Sequence, residues 1–211
     1  MSGGEDILAA RRLLRAQHGA ALATLSHKLD GHPFATAVDY FTDHAARPIF
    51  LISNLAEHTR NMAADPRVSL LVQGAASDVQ ASPRLTVVGE AGGVTEGEAN
   101  ALKTRYLRYF PEAANYFELD FFFCRVQPRQ LRYVGGFGIA RWIAPGDFLA
   151  TEDGWLQAEA DLLARFSREG LIGVDCDGFD LRAGQQIRRI DFPAPLENPA
   201  QAGDAVAAAL V

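Results

Sequence analysis

The strongest constraint on this chain is a succession of short β-type segments, separated by turn signals, across its first 145 or so residues. Residues 20–26 (AALATLS) and 34–41 (FATAVDYF) read as strands, and Asp30-Gly31 between them supplies the turn of a hairpin. Residues 47–53, 68–73, 84–94, 117–127 and 130–134 continue the series, and the glycines within 84–94 mark bends or bulges. About seven strands, mostly in sequential hairpins, predict an antiparallel barrel. Three helical segments interrupt it. Residues 5–18 have apolar side chains at helical spacing, and Gly19 reads as a C-terminal stop. Residues 55–64 are ended by Asp65-Pro66. A third helix opens at Thr95, with Glu98 three residues on as a capping partner, and runs to about Arg108.

After a loop-like stretch at 144–153 the pattern changes. A helix at 155–168, with Leu156, Leu162, Leu163 and Phe166 as its apolar members, precedes three short strands at 171–175, 178–182 and 186–192, and an Ala-rich helix at 198–210. The expected architecture is α+β: a split β-barrel over residues 1–145 and a small α+β domain over residues 154–211, with the loop between them as linker. Hydrophobic residues make up 48% of the chain, enough for a core without staples. The two cysteines, Cys124 and Cys176, lie far apart in apolar runs and read as buried hydrophobes rather than a disulfide or zinc pair. A formal net charge of −6 argues against binding nucleic acid through phosphates. No apolar stretch approaches a membrane span and the N-terminus lacks a signal-peptide h-region, so a cytoplasmic protein with no membrane partner is expected.

Two stretches could hold a small anionic ligand. In IFLISNLAEHTRNMAADP (residues 49–66) a strand runs into a helix, which gathers backbone N–H groups at the positive end of a helix dipole. Ser53, Asn54, His58, Thr59 and Arg60 add side-chain donors, and Arg grips phosphate in a bidentate way. Read alone, the same residues also fit a helix cap and a solvated charge. In SPRLTVV, Arg84 and Thr86 fall on one face of a strand, fitting either one ligand or an exposed sheet face. GGFGIA at 135–140 lacks the strand–helix framing of a dinucleotide fingerprint. VDCDGFD at 174–180 fits a hairpin turn better than a metal loop, and no metal site is expected. No acid–base or nucleophile constellation stands out, so no catalytic residue is assigned.

The order of TLSHKLDGHPFATAVDY, PIFLISNLAEHTRNMAADPRVSLLV, SPRLTVVGEA, RYLRYFPEA and DFFFCRVQPRQLRYVGGFGIARWI resembles the pyridoxamine 5'-phosphate oxidase-related FMN-binding split barrels. The chain is most similar to the haem-utilisation branch, whose members carry a small C-terminal α+β domain. The resemblance implies a homodimer with FMN at the subunit interface. It implies a phosphate at the turn holding Ser53, Asn54, His58, Thr59 and Arg60, a flavin pocket lined by Arg84 and Thr86, and Thr36 facing the ring or ribityl chain. Such oxidases commonly have Lys near the position of His58; a neutral His still donates a hydrogen bond. The haem branch implies an axial histidine from the C-terminal region. Here the five histidines are His18, His27, His32, His44 and His58, so a C-terminal ligand would have to be something else, such as Cys176, or a barrel histidine would serve. Three readings stay open: an FMN-dependent oxidoreductase of unassigned small-molecule substrate, a haem-binding or haem-degrading protein, and a non-catalytic flavin or tetrapyrrole binder.

Overall fold

The computed structural model describes residues 3–74, 78–136 and 138–210. Its first half runs α1 (Gly3–Ala16), β1 (Gly19–Leu25), β2 (Pro33–Asp39), β3 (Phe41–Thr42), β4 (Pro48–Ser53), α2 (Glu57–Ala64), β5 (Arg67–Gln73), β6 (Arg84–Gly93), α3 (Glu96–Tyr109) and β7 (Phe121–Val134). Then come β8 (Ala140–Ile143), α4 (Pro145–Phe148), α5 (Trp155–Arg165), β9 (Leu171–Asp175), β10 (Gly178–Ala183), β11 (Gln186–Asp191) and α6 (Ala202–Ala209). Strands β1–β8 form one antiparallel, curled sheet in the order β2-β1-β5-β6-β7-β4-β3, with β8 also on β7. Strands β9–β11 form a second, three-stranded sheet. Among the described residues no helix is long and apolar enough to cross a membrane.

The strand period sorts the barrel sheet into two faces. Leu22, Leu70, Val72, Leu85, Val87, Leu131 and Tyr133 point inward, where the apolar stripe of α1 (Ala10, Leu14) packs on them. Fully burying side chains of this kind stabilises by roughly 1.5–3 kcal/mol each. The expected strands 117–127 and 130–134 are one strand, β7, beginning at Phe121. Residues Pro111–Glu118 instead form 3₁₀ turns, with Pro at the first position. Pro128 does not end the strand because the register shifts there: Val88 pairs with Gln130 and Gly89 with Pro128, leaving Arg129 as the extra residue of a bulge. Gly89 is required at that point, since a Cβ would stand 2.4 Å from the Gln127 carbonyl oxygen. Gly19 is not a helix stop: α1 ends at Ala16, and Gly19 opens β1 without positive φ. Thr95 and Glu98 form the expected capping box.

The second sheet has its own core of Trp155, Val174, Phe179, Phe192 and Val206. Helix α5 turns Trp155, Glu159 and Leu162 inward, at i, i+4 and i+7, so Leu156, expected among its core members, is exposed instead. The stretch 144–153 is packed rather than free: it includes α4, and Phe148 is fully buried in the barrel core.

Buried ion pairs join the two sheets. Arg11 of α1 makes a bidentate contact to Asp177 in the β9–β10 turn, with both distances 2.7 Å. Arg15 reaches Asp177 at 2.8 Å and Asp175 at 3.0 Å, and Arg189 holds Asp175 at 2.7 Å. Asp175, Cys176 and Asp177 bring ligand-type atoms within 4.8 Å of one another, but arginines occupy the two carboxylates. Removing one partner of a buried ion pair costs about 3–5 kcal/mol, because the other charge stays buried and unpaired. Asp177→Ala is therefore expected to lower stability by about that amount in urea unfolding. Deleting 154–211 is expected to leave an aggregating fragment, and a monodisperse, folded fragment would show the junction to be dispensable.

Candidate functional site

The outward face of the barrel sheet is unusually apolar for a surface. The registers align Ala37, Ala21, Leu71, Thr86, Arg132 and Trp142 in one row across five neighbouring strand pairs. A parallel row carries Ala35, Ala23, Ser69, Val88 and Gln130. Leu71 and Val88 are each 39% exposed and Trp142 is 62% exposed. Contiguous apolar surface of this sort marks a binding face.

At one end of this face lie two arginines. Arg84 and Arg132 are diagonal neighbours on adjacent strands, because Arg84 pairs with Val134 and Thr86 with Arg132. Among the described residues Arg84 donates only to backbone carbonyls, Val79 at 3.3 Å and Ser82 at 3.5 Å. The Arg132 guanidinium lies 5.2 Å from the Trp142 ring centroid. Among the described residues neither arginine has a carboxylate within 4.0 Å, whereas exposed Arg67 and Arg129 are paired with Asp65 and Glu90. Both arginines line a cavity of about 420 Å³, together with Gln80, Val134, Gly136 and Ile139. Gly136 and Gly138, which also line the cavity, have φ of +111° and +85°, which only glycine adopts readily. Phe137 lies outside the described residues. Two unpaired guanidinium groups, a hydroxyl and an apolar floor suit an anionic group attached to a flat ring system.

The other candidate residues gather around α2, on the inward side. Thr36 faces the same way as Leu22, its register partner, and its Oγ1 lies 3.3 Å from His58 Nδ1. Burial lowers the pKa of His58, and its Nε2 is buried without a hydrogen-bond partner. Thr59 donates to the Ser53 carbonyl at 2.7 Å. The Ser53 hydroxyl lies 3.2 Å from the Asp120 carboxylate and accepts from the Leu55 amide, while Asn54 donates to the Asp120 carbonyl. Helix α2 starts after Ala56 with no side-chain cap, so neither Ser53 nor Asn54 caps it. Arg60 is mostly exposed and pairs with Glu57 at 3.7 Å.

The structure thus brings Thr36, Ser53, Asn54, His58, Thr59 and Arg60 together, and separately Arg84 and Thr86. Thr36 and Thr86 lie on opposite faces of one sheet, with β1 and β5 between their strands. Sequence reasoning missed Arg132, Trp142 and Asp120. The alternation of QLRYV could have set Arg132 opposite Leu131 and Tyr133, but only strand pairing puts it beside Arg84. Tyr106 and Tyr109 are buried, and Tyr116 is exposed and stacked on Phe121. Cys124 and Cys176 are buried.

No histidine lies on the arginine face. His27 and His32 sit by the β1–β2 turn, exposed, and the other three lie elsewhere with lowered pKa values. His44 is held down near 2, by burial first and the Arg105 charge second. A histidine neutral when folded and protonated when unfolded stabilises the fold above its unfolded pKa of about 6.5 and loses that contribution as pH falls. Stability is therefore expected to drop from about pH 6.5 downward. His44→Gln should flatten that decline in urea titrations at several pH values, and an unchanged slope would show that His44 is protonated in the fold.

Residues 5–150 match the family described as CREG, beta-barrel. The chain is 32% identical over 158 residues to the chloroplastic heme oxygenase HOZ of Arabidopsis thaliana, a match spanning 75% of this chain. It covers 48% of that relative, so the chain spans about half the relative's length. A solved protein of unknown function from Agrobacterium tumefaciens superposes with a TM-score of 0.78 at 26% identity, covering 97% of this chain and 94% of its own. A heme binding protein from Mycobacterium smegmatis does so with a TM-score of 0.64 at 27% identity, covering 99% and 96%.

Proposed function

The chain belongs to the CREG β-barrel family, a split-barrel fold shared with pyridoxine-phosphate-oxidase-family proteins, and on that premise we propose that it is an FMN-dependent oxidoreductase holding its cofactor against the outer face of the barrel sheet. The observation that carries this reading is the unpaired Arg84–Arg132 couple beside Thr86, at the edge of a cavity with an apolar floor. A phosphate monoester is dianionic near neutral pH, and two guanidinium forks with a hydroxyl match its oxygens. The flat, apolar strip through Leu71 and Val88 suits a ring system.

The turn before α2 is the weaker anion site, because Asp120 and Glu57 already engage Ser53 and Arg60 there. Its residues face away from Arg84 within one chain. We assign Thr36, Ser53, Asn54, His58, Thr59 and Arg60 to the part of the pocket that a second copy would supply, in a homodimer that covers the apolar outer face. His58 Nε2, buried without a partner, is the donor or acceptor free to serve it. When bound, FMN supplies the redox chemistry; the chain binds it, orients it and excludes water. The substrate is a small molecule that this geometry does not specify.

The names of two relatives favour a second reading, haem binding. The same arginines could meet propionates, but no histidine stands on that face to ligate iron, and His27 and His32 are the exposed ones. Absorption spectra of the purified protein titrated with FMN and then with hemin separate the two. Flavin bands co-eluting with a dimer are expected. Arg84→Ala and Arg132→Ala should each weaken FMN binding about 10- to 100-fold, the worth of a lost charge-assisted hydrogen bond. Unchanged affinity in both variants would remove the phosphate assignment, and a sharp Soret band with no flavin uptake would favour haem.

A further inference from the structure

A cavity of about 270 Å³ opens between α3, the start of β7 and the 3₁₀ segment Pro111–Glu118. Four of the chain's 13 phenylalanines meet in its lining: Phe117, Phe121, Phe122 and Phe123. Phe121 and Phe123 share one face of β7, because strand side chains alternate. Other aromatic rings brace these walls. Phe123 lies 5.5 Å from Tyr106 and 5.7 Å from Phe117 between centroids, and Phe121 stacks on Tyr116 at 4.8 Å. The walls are therefore preformed, and their ring edges and faces suit a flat ring as occupant.

The charge at this cavity is of one sign. Lys103 is the single charged residue in the lining, and no carboxylate is among its neighbours there. Arg105 and Arg108, on the same helix, are both held by Glu159. Lys103 has no such partner among the described residues. It is exposed, yet its ammonium is turned back over Phe117, 4.6 Å from the centroid of a ring in the cavity wall. The unmatched cation is thus both accessible and set against the apolar space. Asn100, one turn earlier on α3 and on the same helix face, also lines the cavity, and its side-chain amide has no hydrogen-bond partner among the described residues. A charge beside phenyl rings attracts an anion more strongly than one surrounded by water.

We infer that this cavity is a ligand site for a small aromatic carboxylate, the ring lying between the phenylalanine walls and the carboxylate meeting the Lys103 ammonium, with the Asn100 amide as second donor. The volume lies just under that of a drug-sized pocket, which fits a single-ring acid. None of the lining residues belongs to the set assigned to FMN, so this site stands apart from that reading.

The test uses the full chain with benzoate as probe, benzylamine as the charge control and acetate as the ring-less anion. Saturation-transfer NMR and thermal unfolding read binding. Benzoate is expected to bind at millimolar concentrations, the range for so small a ligand, and to raise the unfolding temperature. Benzylamine and acetate should each bind about fivefold more weakly or less. Lys103→Glu reverses the charge at an exposed helix position, so the variant is expected to fold as the parent does and to lose benzoate binding about five- to tenfold. No benzoate binding to the parent chain, equal binding of acetate or benzylamine, or undiminished benzoate binding in Lys103→Glu would each overturn the assignment. The same loss is expected with and without FMN, so failure of the flavin reading leaves this test intact.

Discussion

Two aspartates, Asp175 at the end of β9 and Asp177 in the turn that follows it, sit among three arginines, and the relation of the two sheets depends on that cluster. Arg11 and Arg15 come from the helix that plugs the barrel, and Arg189 from the small sheet. Charges this deeply buried contribute little over a well-packed apolar substitute, because desolvation offsets most of the attraction. Their effect is on geometry: two bidentate or shared contacts define one position for α1 against the turn, and any other position strands a charge. Arg105 and Arg108, reaching from α3 to Glu159, and Tyr109, donating to Asp180 at 2.7 Å, add a second line of attachment.

With α1 held so, the barrel sheet is covered on its inner face and bare on its outer face. The inner face has the large aliphatics and the helix; the outer face has alanines, Leu71, Val88 and Trp142 beside two unpaired arginines. A sheet with one face solvated ordinarily shows polar residues there. The departure from that pattern, more than any single residue, sets the outer face apart from the structural one. The glycine-bearing β7–β8 loop belongs to the same design, since bare backbone allows close approach at the cavity edge.

Most strands were legible because they announce themselves by local composition and bounded turns; β8 (Ala140–Ile143) was not, and the expected strand 34–41 ends at Asp39, with Phe41–Thr42 forming a separate β3. Asp30 and Gly31 do adopt positive φ, at 49° and 80°, as the hairpin requires. The capping box at Thr95 was legible for the same reason: all its contacts lie within four residues. Pro128 misled because a proline ordinarily ends a central strand, and the remedy, a bulge opposite Gly89, depends on the partner strand. Leu156 misled because α5 carries apolar residues on more than one side, and the choice among them belongs to the sheet it packs on.

Composition and period alone determined the antiparallel sheet, its class, the second α+β unit, and the pairing of Arg84 with Thr86 on one face, since these follow from side-chain alternation and short-range turn chemistry. Only the tertiary structure decided that Arg132 stands beside Arg84, that the α2 residues look the other way, and that Asp120 and Glu57 engage three of their donors, Ser53, Asn54 and Arg60. Each of those facts is a contact between strands or helices distant in sequence, and strand register, which no local pattern encodes, is what brings them together or keeps them apart.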